Sequence, residues 1–329
     1  MIVDLSTDTA SIPVTVTATA SVETPTFGAT PHREAGAQDA APSRRLLGVA
    51  TLLGSALSNQ VGAAVGSLAF PVIGSVGVVA VRQFVAAIVL IPLARPKVRS
   101  YTWAQWWPVL LLAVVFGTMN LALYTSIGRI GLGLAVTLEF LGPLAVALVS
   151  SRSRGALLCA VAALVGVVAV TNPQGSTDFF GVGLGLLAAV CWASYILLNR
   201  TVGRRIPGAG GAATAAGVSA ILFIPVAIVT FIILPPTIPA LAFAVVAGVL
   251  SSAVPYVADL SALRRVPAQL FGILMSVNPI FAALVGAVVL SQGLALVEWA
   301  GIAIIVGANA ATLMLHRVRP AAKRTTLAR

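Results

Sequence analysis

Between residues 46 and 315 the chain is a succession of ten apolar stretches, most of them about 20 residues long, separated by short polar turns. An α-helix rises 1.5 Å per residue, so a stretch of that length crosses a hydrocarbon core of about 30 Å. Lipid offers no water to a bare amide, so each spanning segment must bond its own backbone, and helices do this. The stretches lie at 46–70, 74–93, 108–127, 132–150 and 157–171, then at 180–199, 212–234, 239–258, 268–290 and 296–315. They predict an all-α integral membrane protein with ten transmembrane helices. Composition agrees: 59% of the residues are hydrophobic and 9% charged, against about 25% charged in a soluble domain.

The net charge of +11 raises the question of nucleic acid, but the basic residues punctuate apolar runs and do not gather with aromatics on a polar segment. No nucleic-acid partner is expected. With the N-terminus on the cytoplasmic side, every one of the 20 Lys and Arg residues except Arg82 and Arg129 falls in a cytoplasmic loop or tail. That distribution satisfies the positive-inside rule and predicts both termini inside. Residues 1–45 are rich in Thr, Ala, Ser and Pro and read as a disordered cytoplasmic tail, with residues 317–329 as a basic one. Asp4 and Asp8 follow the initiator Met where a cleaved signal needs a basic start, so the first apolar run reads as a retained span.

Sliding the chain by 136 positions lays the fourth stretch on the ninth. Arg129 falls on Arg265, Leu134 on Leu270, Leu138 on Leu274, Pro143 on Pro279, Ala147 on Ala283 and Leu148 on Leu284; a connection five residues longer puts Gly166 on Gly307. A five-span repeat is odd-numbered, so its second copy enters the membrane upside down. The expected organisation is two inverted five-helix repeats, 46–171 and 180–316. Inverted repeats recur in secondary transporters, where two similar halves exchange inward-open and outward-open shapes around a site at the midplane.

Two charges lie deep in the spans, Arg82 in the second and Glu139 in the fourth. A charge at the bilayer centre costs at least about 2.5 kcal/mol, so each needs a partner or a wet cavity. Facing one cavity, they suit a zwitterion, with Arg82 gripping a carboxylate and Glu139 an ammonium. Pairing with each other and locking two helices is the alternative. Glu139 is also a candidate to take and release a proton, as is Asp259 at the inner end of the eighth span, where a solvated helix end beside Arg264 and Arg265 is the plainer reading. Uncharged polar residues at similar depth include Asn59, Gln60, Asn120, Tyr124, Trp192, Tyr195 and Asn278, any of which can equally act as interhelical glue. Pro143, Pro255 and Pro279 predict kinks, and Gly62 with Gly66 predicts close helix packing.

Cys159 and Cys191 sit inside apolar runs and read as small buried hydrophobes, while His32 and His316 fall in the tails. No His- or Cys-based site is available within the apolar body, so neither an enzyme nor a metal or other cofactor is expected.

Several segments carry a resemblance. They are Met119-Asn120 with Tyr124 and Ser126, Ala135 to Ser151 (AVTLEFLGPLAVALVSS), Cys191 to Leu197 (CWASYIL), Val254-Pro255-Tyr256, and Phe271 to Gly286 (FGILMSVNPIFAALVG). Over nearly all of 46–316 the chain resembles the drug/metabolite transporter superfamily with its duplicated ten-helix EamA-type domain, and within it the bacterial inner-membrane exporters of threonine and homoserine. The resemblance implies export of small amino acids from the cytoplasm, driven by the proton gradient; Arg82, Glu139 and Asp259 match charged positions of its pattern. Asn278 and Gln292 stand where that pattern has Glu, and the first helix lacks a Lys near its outer end. Efflux of another metabolite or a cationic drug is the alternative within the fold, though Arg82 would repel a cation. A passive channel is the alternative from another class.

Overall fold

A computed structural model describes residues 42–150, 154–171, 178–262, 265–266 and 268–315. These residues form α1 (Pro42–Ser67), α2 (Phe70–Ala94), α3 (Trp103–Ile130), α4 (Leu132–Glu139), α5 (Leu141–Ser150), α6 (Arg154–Thr171) and α7 (Phe179–Arg205). There follow α8 (Gly210–Ile233), α9 (Ile238–Gly248), α10 (Val254–Ala262), α11 (Ala268–Met275), α12 (Asn278–Val289) and α13 (Leu296–Leu315). A π-helical turn, Val249–Ala253, joins α9 to α10. The tails that hold His32 and His316 lie outside the described residues, as does Arg264.

Five helices, α1, α2, α3, α7 and α8, are long and apolar enough to cross a membrane, and further apolar helices of 10–17 residues accompany them. Large apolar side chains such as Ile88, Ile232, Val288 and Leu296 point outward and are at least two-thirds exposed. In water such a surface would be a liability; against lipid it is the expected exterior. Small residues set the helix contacts. A methyl group on Gly301 of α13 would come within 2.6 Å of the Val170 amide nitrogen and 2.8 Å of the Gly166 carbonyl on α6. Gly62 and Gly66 of α1 face the π turn and α9: a methyl on Gly62 would meet Ser251 N at 2.9 Å, and one on Gly66 would meet Ala247 at 2.9 Å.

Helices pair as α3 with α7, α1 with α9 and α10, α2 with α8, α6 with α13, and α4 with α12. The Gln83 side chain on α2 donates to the Ser219 hydroxyl on α8 at 3.0 Å, both buried.

Several boundaries differ from the sequence expectation, each for a local reason. The first helix stops at Ser67, because a turn at 68–69 leads into Phe70-Pro71. α2 is regular only past Gly74, whose φ of 65° is open to glycine and costly to other residues. The third helix starts at Trp103, not at Pro108: Thr102 and Gln105 form a capping box there. Pro108 is tolerated near the helix start, and the Ala104 carbonyl it leaves without a helical donor accepts from the Arg205 guanidinium. The fourth and ninth stretches are each two helices, broken at Phe140 and at Ser276-Val277.

Candidate functional site

Proline shapes the site. Having no N–H, it leaves the carbonyl four residues earlier without its helical partner. Pro255 does this to Ser251, and the Arg82 guanidinium takes the opening, with Nη2 donating to the Ser251 carbonyl at 3.2 Å. Pro279 does it to Met275, whose carbonyl accepts from Asn278 Nδ2 at 2.8 Å. Both prolines thus turn a freed carbonyl into an anchor for a polar side chain.

The second anchor fixes a relay. A carbonyl only accepts, so the Asn278 amide nitrogen must face Met275 and its oxygen must face away. That oxygen accepts from Gln60 Nε2 at 2.9 Å, which leaves Gln60 Oε1 buried and without a hydrogen-bond partner. The Arg82 relay ends comparably. Nη1 donates to Asn120 Oδ1 at 2.7 Å, and the guanidinium lies 4.8 Å from the centre of the Tyr124 ring, a cation–π distance. Asn120 is itself held by a bond from Nδ2 to the Phe116 carbonyl at 2.9 Å. Arg82 Nε and the Tyr124 hydroxyl remain unpartnered and buried.

These groups border one cavity of about 320 Å³, a size suited to a small organic molecule. Gln60, Arg82, Asn120, Tyr124, Glu139, Trp192, Tyr195, Asn278 and Pro255 all line it, as does Asn59. Pro143 and Pro279 are not among its lining residues and lie in the first turns of α5 and α12, and the side chain of Asp259 lies outside the described residues. Glu139 is 6% exposed and is the last residue of α4, where the helix presents its negative end. It makes no salt bridge with Arg82. The cavity therefore holds one acidic and one basic side chain that are not joined to each other. Phe140 packs edge-on against Trp192 with centroids 4.5 Å apart and forms an apolar wall beside Glu139.

The two ends of the cavity differ. Leu90, Leu112, Ala212 and Ala215 extend its lining toward the end that carries Arg95 and Arg205. At the opposite end Ser75 and Thr125 hydroxyls are bonded at 3.0 Å, the Gln292 side chain accepts from Leu132 N at 2.9 Å, and Ser126 donates to the Gly181 carbonyl at 2.9 Å. Arg129 pairs there with Asp178 at 2.8 Å, while Asp178 caps α7 by accepting from Gly181 N at 2.9 Å. The Gly181 N–H, and after it Arg129, hold the Asp178 carboxyl below the usual carboxylate range. Sequence reading missed Ser58, Ser251, Phe140, Met275 and the pairing of Arg129 with Asp178. The proline rule applied four residues back would have pointed to the carbonyls of Ser251 and Met275; nothing comparable marks Ser58 or Asp178.

A bundle of apolar helices around a largely apolar cavity that presents both an acidic and a basic side chain is the form expected of a membrane carrier. The chain belongs to the EamA-like transporter family, in the drug/metabolite transporter superfamily: the family model matches residues 179–314. It is 34% identical over 288 residues to the threonine/homoserine exporter RhtA of Salmonella typhimurium strain LT2, covering 84% of this chain and 95% of that protein. To the threonine/homoserine exporter RhtA of Escherichia coli strain K12 it is 33% identical over 281 residues, or 82% of this chain and 92% of the relative. A solved crystal structure superposes with a TM-score of 0.52 at 19% identity, over 84% of this chain and 99% of its own, and supports the fold alone. The protein is thus a multi-pass secondary transporter related to amino-acid exporters, and not an enzyme.

Proposed function

We propose that this protein exports small amino acids of the threonine and homoserine kind across a bacterial inner membrane, by alternating access coupled to inward proton movement. The observation that carries the reading is a base and an acid, Arg82 and Glu139, lining one cavity without a salt bridge between them. A zwitterion complements it. Its carboxylate meets the guanidinium fork, and its ammonium meets a carboxylate backed by the negative end of α4. A hydrophobic cation would meet Arg82 as a like charge. After the substrate leaves on the outer side Glu139 takes a proton from that side, and the next substrate ammonium displaces it to the cytoplasm; that exchange makes an antiporter.

The proposed frame is ten spans in two inverted halves, 46–171 and 180–316, with residues 1–45 and 317–329 as cytoplasmic tails. Supporting it, α3 packs on α7 as α1 packs on α9 and α10, the exchange a two-fold axis would make. Gln83 and Ser219, which bond across the α2–α8 contact, are separated by 136 positions, the offset read from the sequence repeat.

Inverted vesicles carrying the protein, acid inside, test this directly. Labelled threonine and homoserine accumulate above empty vesicles, and Glu139→Gln removes the gradient-driven part. Accumulation that ignores the gradient would make the protein a passive channel. No uptake of either amino acid would sink the substrate assignment.

A further inference from the structure

The π turn at Val249–Ala253 has an origin in one residue. Within it the Val254 N–H reaches back five positions to the Val249 carbonyl. The next donor in that pattern would be the N–H of residue 255, directed at the Leu250 carbonyl, or at Ser251 if the turn closed to an ordinary α-helix. Residue 255 is proline, so neither carbonyl receives it. Both are taken by side chains from other helices: Ser58 of α1 donates to the Leu250 carbonyl at 2.9 Å, and Arg82 of α2 to the Ser251 carbonyl at 3.2 Å. The Ser251 hydroxyl closes the arrangement by donating to the Asn59 carbonyl at 2.9 Å.

The geometry points to Pro255 as a positioning residue for Arg82: by withholding one backbone N–H it keeps the Ser251 carbonyl open, and that carbonyl fixes the guanidinium in the cavity wall. The inference rests on the reading of Arg82 as the carboxylate seat. A guanidinium has five N–H groups in a rigid plane. One is committed to Asn120 and one to Ser251, and the Tyr124 ring lies along a face. Two anchors on different helices leave the plane no free rotation, so the remaining N–H groups form a seat of set direction and the substrate carboxylate binds without ordering a long side chain. An N–H at position 255 lets the turn close to an ordinary α-helix, in which it bonds Ser251, and Arg82 would be left with one anchor.

Two measurements on the full-length protein in vesicles test this. The first is the rate at which phenylglyoxal, an arginine-directed reagent, modifies Arg82, read on its peptide by mass spectrometry. Pro255→Ala should raise that rate several-fold. The second is transport: KM for the amino acid should rise about tenfold, the loss of one charge-assisted hydrogen bond, while kcat stays within about twofold. Replacing the 255 peptide link by an ester, which like proline carries no N–H, should return both readings to the wild-type level and separates the missing donor from the ring. If Pro255→Ala does not fold, Pro255→Val restores the same N–H. An unchanged labelling rate in a folded variant overturns the inference. Faster labelling in a protein that carries neither threonine nor homoserine leaves it standing and removes only the substrate assignment.

Discussion

Asn278 works by direction as much as by polarity. Its amide satisfies Met275 on one side and Gln60 on the other, and Asn278 and Gln60 are both buried. Asn278→Leu keeps the volume and removes both partners, leaving a carbonyl and an amide nitrogen unpaired in the interior. Each such group costs about 1–3 kcal/mol, so the variant should lose at least about 2 kcal/mol, read from denaturant unfolding of the purified protein. A loss below about 0.5 kcal/mol would mean that Gln60 finds another partner. A Glu at this position, as in the pattern the sequence resembles, could not donate to Met275 when ionised. The amide therefore makes the α11–α12 break neutral and leaves Glu139 as the one carboxylate among the described cavity-lining residues.

Among the helices, α7 shows how far an element was legible before its structure. Its apolar run from Phe180 was plain, but its ends were not. At the start Asp178 caps the helix, a role that a single polar residue after a loop does not announce. At the other end the helix runs on to Arg205 past the apolar stretch, because Arg205 lies 4.9 Å over the Trp107 ring and its backbone carbonyl accepts from Gln105 at 2.8 Å. Both contacts come from α3, about 100 residues away in sequence, and periodicity carries no such information. The breaks at Phe140 and Ser276-Val277 were half legible: Pro143 and Pro279 announce a disturbance, while its place, two or three residues earlier, depends on how the freed carbonyls are satisfied. The Asp178 cap yields a pH test. Its folded pKa lies below the unfolded value, so its contribution is full above the ordinary carboxylate range and is lost as pH falls through the folded value. Asp178→Ala should therefore lower Tm by a constant amount between about pH 8 and pH 6, and the deficit should shrink below about pH 4. A deficit that widens on acidification would contradict the assignment.

On the scale of the molecule the polar site lies between the two sequence halves. Gln60, Arg82, Asn120, Tyr124 and Glu139 come from the first, and Trp192, Tyr195, Ser251 and Asn278 from the second. Apart from Ser251, which was missed, the depth of each residue along its span was enough to select this set from sequence, since a polar side chain in an apolar run has few places to go. Which groups bond to which was not, because that depends on helix rotation. The proposed orientation places the end of the cavity that carries Arg95 and Arg205 in the cytoplasm. In a variant with Ala at positions 159 and 191, Ala212→Cys should react with a membrane-impermeant maleimide in inverted vesicles and stay protected in intact cells, whereas equal reaction in both would argue against a single-sided opening. The bond between Gln83 and Ser219 has a further consequence. If the two halves trade shapes in each cycle, a link between a position and its own counterpart maps onto itself, so it is the same bond before and after. It can act as a fulcrum, a point of rest about which the lever turns while the contacts on either side are remade.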